Sequence, residues 1–359
     1  MGLSAAWALL REGFAVRIVD QAPPPNPRGA SVDDHRLIRH AYGAQAGYMR
    51  MVDAAYAAWD DLWSELGEVL HVPTGVLAID EAGGAWMAAS RAALRADGRA
   101  VTDLTRAEAV ARFPFLSADG LAGAFWCPEG GVLLAERVVA GLARLVAGKG
   151  AVIETARAVR VDAAHASITL EDGSRRGADV LVVAAGPWIP RLLPAIGGRV
   201  TPSKQVLVRL APPPEMVEAF AGAPMILDLH GGFYMVPPVA GTPLKIGDHS
   251  FSLAGDPDDP DRTPDPREAE RILDLARRRI PALGSFRHLG AAVCFYDVEP
   301  DERFVVEKIS RRAWVMSGFS GHGFKFGPIL GRRLAEAIAR PELEIFLPAW
   351  AAGDEVMAA

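Results

Sequence analysis

Three glycines in six residues, interleaved with aromatics and closed by a lysine, set apart the stretch Gly318-Phe319-Ser320-Gly321-His322-Gly323-Phe324-Lys325-Phe326. Glycine lets a backbone turn through positive φ or lie against a flat molecule with no Cβ in the way. Before it, Arg312 to Met316 alternates as a strand does. After it, Pro328 to Ala339 places Ile329, Leu330, Leu334, Ala335 and Ile338 at helical spacing. Strand, glycine-rich turn and helix bring the free N–H groups of a helix N-terminus up to a ligand, with Lys325 at its mouth. An ordinary tight connection between a strand and a helix would carry the same glycines.

Arg36, Arg39 and His40 form a second group. Ser31 followed by Asp34 reads as a helix N-cap with its reciprocal acid, and in the turn after it these three cations share one face at i, i+3 and i+4. Cations so placed repel one another unless something anionic lies opposite. The plainer reading is a solvated basic face, although Leu37, Ile38, Ala41 and Tyr42 argue that the segment is largely enclosed. A third group opens the chain: a helix from Gly2 to Arg11, then Gly13 and a strand Phe14 to Val19 closing on Asp20. That is the second half of a dinucleotide-binding βαβ unit, whose second strand ends in an acid that accepts ribose hydroxyls. Gly2 takes the place of the third glycine of the fingerprint, so the sequence reads as starting mid-motif.

The elements that must position these groups follow from pattern and composition. At 359 residues the chain is long for one core, and suggests two domains or one large α/β unit. A net charge of −6, with Lys and Arg scattered, offers no field for nucleic acid. No apolar run reaches the roughly 18 residues of a membrane span, and the first residues lack a signal peptide's pattern, so a cytoplasmic location is expected. Cys127 and Cys294 are too few for a disulfide framework or a thiolate metal site, and no metal is expected. The prolines at 23, 24, 25 and 27 dictate an extended loop.

Helices are predicted over Tyr48 to Leu66, Ala85 to Ala96, Ala135 to Val146 and Arg267 to Arg279, and a strand over Val72 to Asp80. Val180 to Ala185, a continuous apolar run ending at Gly186, suits a buried parallel strand whose carboxyl end faces a ligand. Alternation over Val206 to Leu210, Met225 to Leu229, Phe233 to Val236 and Leu244 to Gly247 predicts antiparallel strands of a second domain, joined by Phe286 to Tyr296.

Four segments, HRLIRHAYG (His35 to Gly43), PLKIGDH (Pro243 to His249), AVCFYDVEPDERF (Ala292 to Phe304) and GFSGHGFKF, resemble monomeric sarcosine oxidase and its relative N-methyltryptophan oxidase. These are flavoenzymes of the D-amino-acid-oxidase-like superfamily. The resemblance runs in order along nearly the whole chain. It implies an α/β fold: a Rossmann-like FAD-binding domain of glutathione-reductase type and a substrate domain with a large mixed or antiparallel sheet. The first would comprise residues 1–70, 132–200 and 300–359 and be incomplete at its N-terminus, and the second residues 71–131 and 201–299.

The same resemblance implies roles. Cys294 carries FAD covalently, Arg39 and Lys325 hold a substrate carboxylate, and Arg36 lies close to the flavin ring. Lys245 stands beside the flavin where oxygen reacts, while His249, Tyr234, Met225 and Tyr296 line the substrate cavity. Gly2, Asp20, Gly186, Gly321 and Gly323 are the remaining cofactor contacts. His35 replaces a small hydroxyl residue of the family pattern, and Asp248 and Phe295 also depart from it, which leaves the amine open. The implied reaction, in a monomer, is oxidation of the secondary amine of an N-methylated or cyclic amino acid to an imine, with O2 reduced to H2O2. An amine dehydrogenase passing electrons to another acceptor is the alternative enzyme. A truncated, non-catalytic flavoprotein is the alternative outside catalysis, since the mid-motif start predicts poor flavin loading of the 359-residue product.

Overall fold

The computed structural model describes residues 1–81, 83–248 and 250–354. Its largest feature is a mixed sheet of eight strands, in the order Arg287–Val298, Thr201–Ala211, Leu244–Asp248, Phe233–Val236, Met225–Asp228, Val76–Asp80, Gly123–Cys127 and Thr102–Thr105. Neighbours run antiparallel except Met225–Asp228 and Val76–Asp80, which run parallel. Successive side chains point to opposite faces, and the two faces serve different cores. Ile226, Met235 and Ile246 pack with Ile272 and Ala276 of the helix Pro266–Arg279. Met225, Leu227 and Val236 face the other way, into a core shared with Ile38, Tyr42 and Phe326. The large sheet expected from the alternating strands is therefore present, and its second face is the wall of the candidate site.

The rest of the chain supplies short parallel pairs and helices. Arg17–Asp20 runs parallel to Val152–Thr155, and Leu181–Val183 runs parallel to Ala313–Ser317, which pairs in turn with Val305–Ser310. The helix Ala46–Leu66 buries Met51, Val52, Ala55, Trp59 and Leu62 on one side and closes at Gly67, whose φ of 70° is the left-handed ending that glycine allows. The first helix, Gly2–Arg11, crosses Gly327–Ala339 so closely that a Cβ at Gly331 would overlap the backbone of Ser4.

Three local expectations change. The segment around Arg36 is a strand, His35–Ile38, paired antiparallel with Gly131–Leu134 and not the start of a helix. Its ladder partner lies about a hundred residues away, so the three-residue spacing of its cations reflects no helical face. Val72 to Asp80 breaks into His71–Val72 and Val76–Asp80, because Pro73 has no N–H to donate and Gly75 turns at φ 67°. Leu181–Val183 is parallel as expected, but it borders its sheet, and Leu181 and Val182 are only half-buried.

Candidate active site

Two buried lysines organise the site, approached from different elements. Lys325 lies in the 3-10 turn Phe324–Phe326 at the start of the helix Gly327–Ala339 and is 4% exposed. The indole N–H of Trp59 donates to the Lys325 carbonyl at 2.7 Å, so the central helix fixes this backbone position. Lys325 Nζ donates to Tyr42 Oη at 2.9 Å and to the His322 carbonyl at 2.7 Å. On the ring of the same tyrosine lies the Arg39 guanidinium, 4.5 Å from its centroid, with Trp86 at 5.7 Å beyond. Arg39 Nε and Nη1 are out of reach of solvent and have no hydrogen-bond partner. Burial, reinforced by the Arg39 charge, pushes the Lys325 ammonium well below the ordinary lysine range. Two cations thus converge on Tyr42 with donors to spare, an arrangement suited to an incoming anion.

The second lysine is paired. Lys245, on the strand Leu244–Asp248 and 3% exposed, donates from Nζ to Asp33 Oδ2 at 2.5 Å and to the His35 carbonyl at 2.9 Å. Asp33 also accepts from Arg209 Nη2 at 3.0 Å and from Arg36 Nη1 at 3.4 Å. Arg36 is further held by the carbonyls of His35, Ala30 and Val32, with its guanidinium 5.8 Å from the Phe324 ring centroid. The expected basic face therefore splits: Arg36 joins Lys245, Arg39 joins Lys325, and His40 turns to Asp53 at 3.1 Å. Burial raises the Asp33 carboxyl, but Lys245, Arg36 and Arg209 together hold it well below the carboxylate range. His35 is pushed down to about 3 by burial and then by the Lys245 charge, so its ring is neutral, with Nε2 2.5 Å from Thr242 Oγ1.

Cys294 sits on the strand Arg287–Val298 with its thiol buried and free. Burial pushes that thiol up, while the charge of Arg36 pulls it back. Tyr296 follows two residues on, and Tyr234 pairs across the sheet with Gly247. Both explain nearby glycines. A Cβ at Gly247 would overlap Tyr234 Oη, and one at Gly321, where φ is 79°, would overlap the Tyr296 ring. Gly323 is likewise crowded by Phe319. Glycines 321 and 323 therefore have a packing reason to be glycine. The loop start is tied down by Asp297, whose Oδ2 accepts from Ser317 Oγ and Gly318 N–H, both at 2.9 Å. Met225 is fully buried in the core between the sheet and Tyr42. His249 lies outside the described residues.

The other predicted contacts gather at the ends of the parallel strands. Asp20 closes Arg17–Asp20 and accepts from Asn26 Nδ2 at 2.7 Å, with burial pushing its carboxyl up. Gly2 begins the first helix, and a Cβ there would lie 3.8 Å from Ala184 Cβ. Gly186, at φ 52°, lies past the carboxyl end of Leu181–Val183, and a Cβ there would meet no other residue within 4 Å. Sequence reasoning missed Asp33, Tyr42, Trp86 and Arg209 as members of the site. The Asp33-Asp34 doublet beside three cations was the available signal for the first.

A sequence model of the family described as FAD dependent oxidoreductase matches residues 1–337. The chain is 29% identical over 357 residues to a monomeric sarcosine oxidase of Bacillus sp. (strain NS-129), covering 94% of this chain and 89% of that one. It is 29% identical over 349 residues to an N-methyl-L-tryptophan oxidase of Salmonella arizonae, covering 94% and 91%. Its fold matches an L-proline dehydrogenase from P. horikoshii at a TM-score of 0.82, with 19% identity, covering 98% of this chain and 93% of that one. It also matches a glycine oxidase from Bacillus cereus at 0.79, with 18% identity, covering 99% and 96%.

Proposed function

The chain belongs to the family of FAD dependent oxidoreductases, and on that premise we propose that it oxidises the secondary amine of an N-methylated or cyclic amino acid to an imine, with O2 as electron acceptor. The single observation that carries the substrate class is the pair Arg39 and Lys325. A buried lysine and a half-buried arginine flank Tyr42, and two buried guanidinium nitrogens lack a partner. A buried donor left unsatisfied costs about 1–3 kcal/mol, more when charged, and a substrate carboxylate would recover that.

The residues present fit FAD. Asp20 ends a parallel strand as a ribose acceptor would, and the first helix offers N–H groups beginning at Gly2. Gly186 leaves open the space that a side chain would fill, and Cys294 places a thiol beside Arg36 for a thioether to the ring. When bound, FAD supplies the acceptor for two electrons. In this reading residues 1–70, 132–200 and 300–359 hold the cofactor, while 71–131 and 201–299 shape the substrate side.

The chain's own contribution is binding and electrostatics. Arg39 and Lys325 fix the carboxylate, which sets the direction in which the amine and its C–H bond point. In this reading Tyr234, Tyr296 and Met225 shape the substrate side and select the amine that fits. Neither Asp33, saturated by three cations, nor His35, bonded to Thr242, is free to act as a strong base. The amine therefore enters unprotonated, which favours alkaline pH. Lys245 holds a positive charge where negative charge develops as oxygen is reduced.

The test compares N-methyl amino acids with the matching amines that lack a carboxylate, following oxygen uptake and peroxide. Turnover confined to the amino acids, with one H2O2 per imine, supports the proposal. Turnover with an artificial acceptor but no peroxide would make the protein a dehydrogenase. The covalent link is checked separately: flavin should stay with acid-denatured protein, be lost in Cys294→Ser and persist in Cys127→Ser.

A further inference from the structure

We propose that Asp33 is a positioning residue that holds Lys245 in place and charged, so that the oxygen-reactive side of the site keeps a built-in positive charge. The proposal deepens the reading of Lys245 above and rests on it. Its first support is conformational. Asp33 has φ 98°, a left-handed geometry that suits glycine and that few non-glycine residues adopt, and it is 4% exposed. An acid held in a strained, buried position is retained only where surrounding groups over-determine it. Here three cations from three strands do so: Lys245, Arg36 and Arg209.

The second support is the disposition of hydrogen bonds. An ammonium has three N–H donors. Lys245 spends one on Asp33 and one on the His35 carbonyl, and the third has no partner among the described residues. The carboxylate is filled on both oxygens, by Arg209 on Oδ1 and by Lys245 and Arg36 on Oδ2. It can neither take up a proton readily nor move away from the lysine.

Every charged or titratable neighbour acts in a defined sense. Arg36 on its strand and Arg209 across the ladder repel the lysine, and Arg209 is itself offset by Asp34 at 3.4 Å. His35 is neutral, and Cys294, Tyr234 and Tyr296 carry protons because burial pushes each of them up. Lys245, Arg36 and Arg209 against Asp33 and Asp34 leave one positive charge in excess. Burial is the largest effect and keeps the Lys245 ammonium below the ordinary lysine range, and Asp33 is the group that opposes it most. The substrate amine must lose its proton at alkaline pH while Lys245 must keep its own, and the Asp33 pair reconciles the two demands.

The experiment uses FAD-loaded protein and four forms: wild type, Asp33→Asn, Lys245→Met and the double variant. Reoxidation of the reduced cofactor by O2 is measured by stopped flow across pH, and the Lys245 side chain is titrated by NMR of 13Cε-labelled lysine, assigned with Lys245→Met. In Asp33→Asn the lysine should titrate at least tenfold more readily, one pH unit or more below wild type. Its reoxidation rate should fall with rising pH in step. In the double variant the rate should equal that of Lys245→Met, because Asp33 acts through the lysine. Asp33→Glu should restore part of both signals, and it serves if Asp33→Asn does not fold. An unchanged lysine titration, or an equal loss in the Lys245→Met background, would overturn the proposal. If Lys245→Met leaves reoxidation unchanged, the role of Lys245 in oxygen chemistry fails, while the NMR titration still decides whether Asp33 holds its charge.

Discussion

Lys245 and Lys325 are equally buried, at 3% and 4% exposed, yet they are stabilised in opposite ways. Lys245 faces a carboxylate at 2.5 Å, supplied by the chain itself. Lys325 faces a phenol, a carbonyl and, across Tyr42, another cation. One charge is complete before any ligand arrives. The other is left to be completed by the ligand. The contrast separates a permanent electrostatic feature from a binding site, and each substitution below acts on one side of it.

The largest effect comes from breaking the complete pair. Asp33→Ala leaves Lys245, Arg36 and Arg209 without their shared anion, and breaking a buried pair in this way costs about 3–5 kcal/mol. Urea unfolding at neutral pH measures it. The folded Asp33 carboxyl is held below its unfolded value, so its stabilisation is present above the ordinary carboxylate range and disappears only as pH falls through the folded value. The gap between wild type and Asp33→Ala should therefore be full at neutral pH and close in acid.

Next in size is the incomplete pair. Arg39→Met or Lys325→Met should each lower kcat/KM for amino-acid substrates by roughly 100-fold, about 3 kcal/mol, and affect amines without a carboxylate far less. Stability should respond in the opposite direction from Asp33→Ala. The folded Lys325 binds its proton less tightly than the unfolded chain does, so it lowers stability below its folded value, and that loss is recovered as pH rises toward the ordinary lysine range. Ligand-free Lys325→Met should be at least as stable as wild type at neutral pH, and the difference should shrink at alkaline pH. Unfolding midpoints at neutral and alkaline pH check this.

How much of this was legible in the sequence depends on the distance over which each interaction acts. The helix Ala46–Leu66 was legible because Val52, Ala55, Trp59 and Leu62 repeat on one face and Gly67 closes it. The strand Ala313–Ser317, the loop after it and the helix Gly327–Ala339 were legible for the same local reasons. The segment His35–Ile38 was misread because its ladder partner is Gly131–Leu134, and no local period reveals a partner so far along the chain. Asp33 was passed over between Ser31 and Asp34, which read as a cap, since the lysine it serves is 212 positions away. Gly321 was read as making room for a cofactor. Its Cβ would meet Tyr296, a contact that only the folded sheet creates.

The smallest effect sharpens the incomplete side. Tyr42→Phe removes the hydroxyl that accepts from Lys325 but keeps the ring under Arg39. One hydrogen bond to a charged group should be lost, about 1.5 kcal/mol. KM for the amino acid should change by roughly tenfold with kcat nearly constant, and steady-state kinetics at fixed pH would measure it.

The most direct test of the contrast is calorimetric titration of the loaded protein with an unreactive carboxylate such as acetate, in two buffers of different ionisation enthalpy. Burial and the Arg39 charge make Lys325 hold its proton less tightly when the site is empty, and a bound carboxylate tightens that hold. Binding should therefore take up protons, and the uptake should vanish in Lys325→Met while surviving in Lys245→Met. Proton uptake that is absent in wild type, or unchanged in Lys325→Met, would contradict the account.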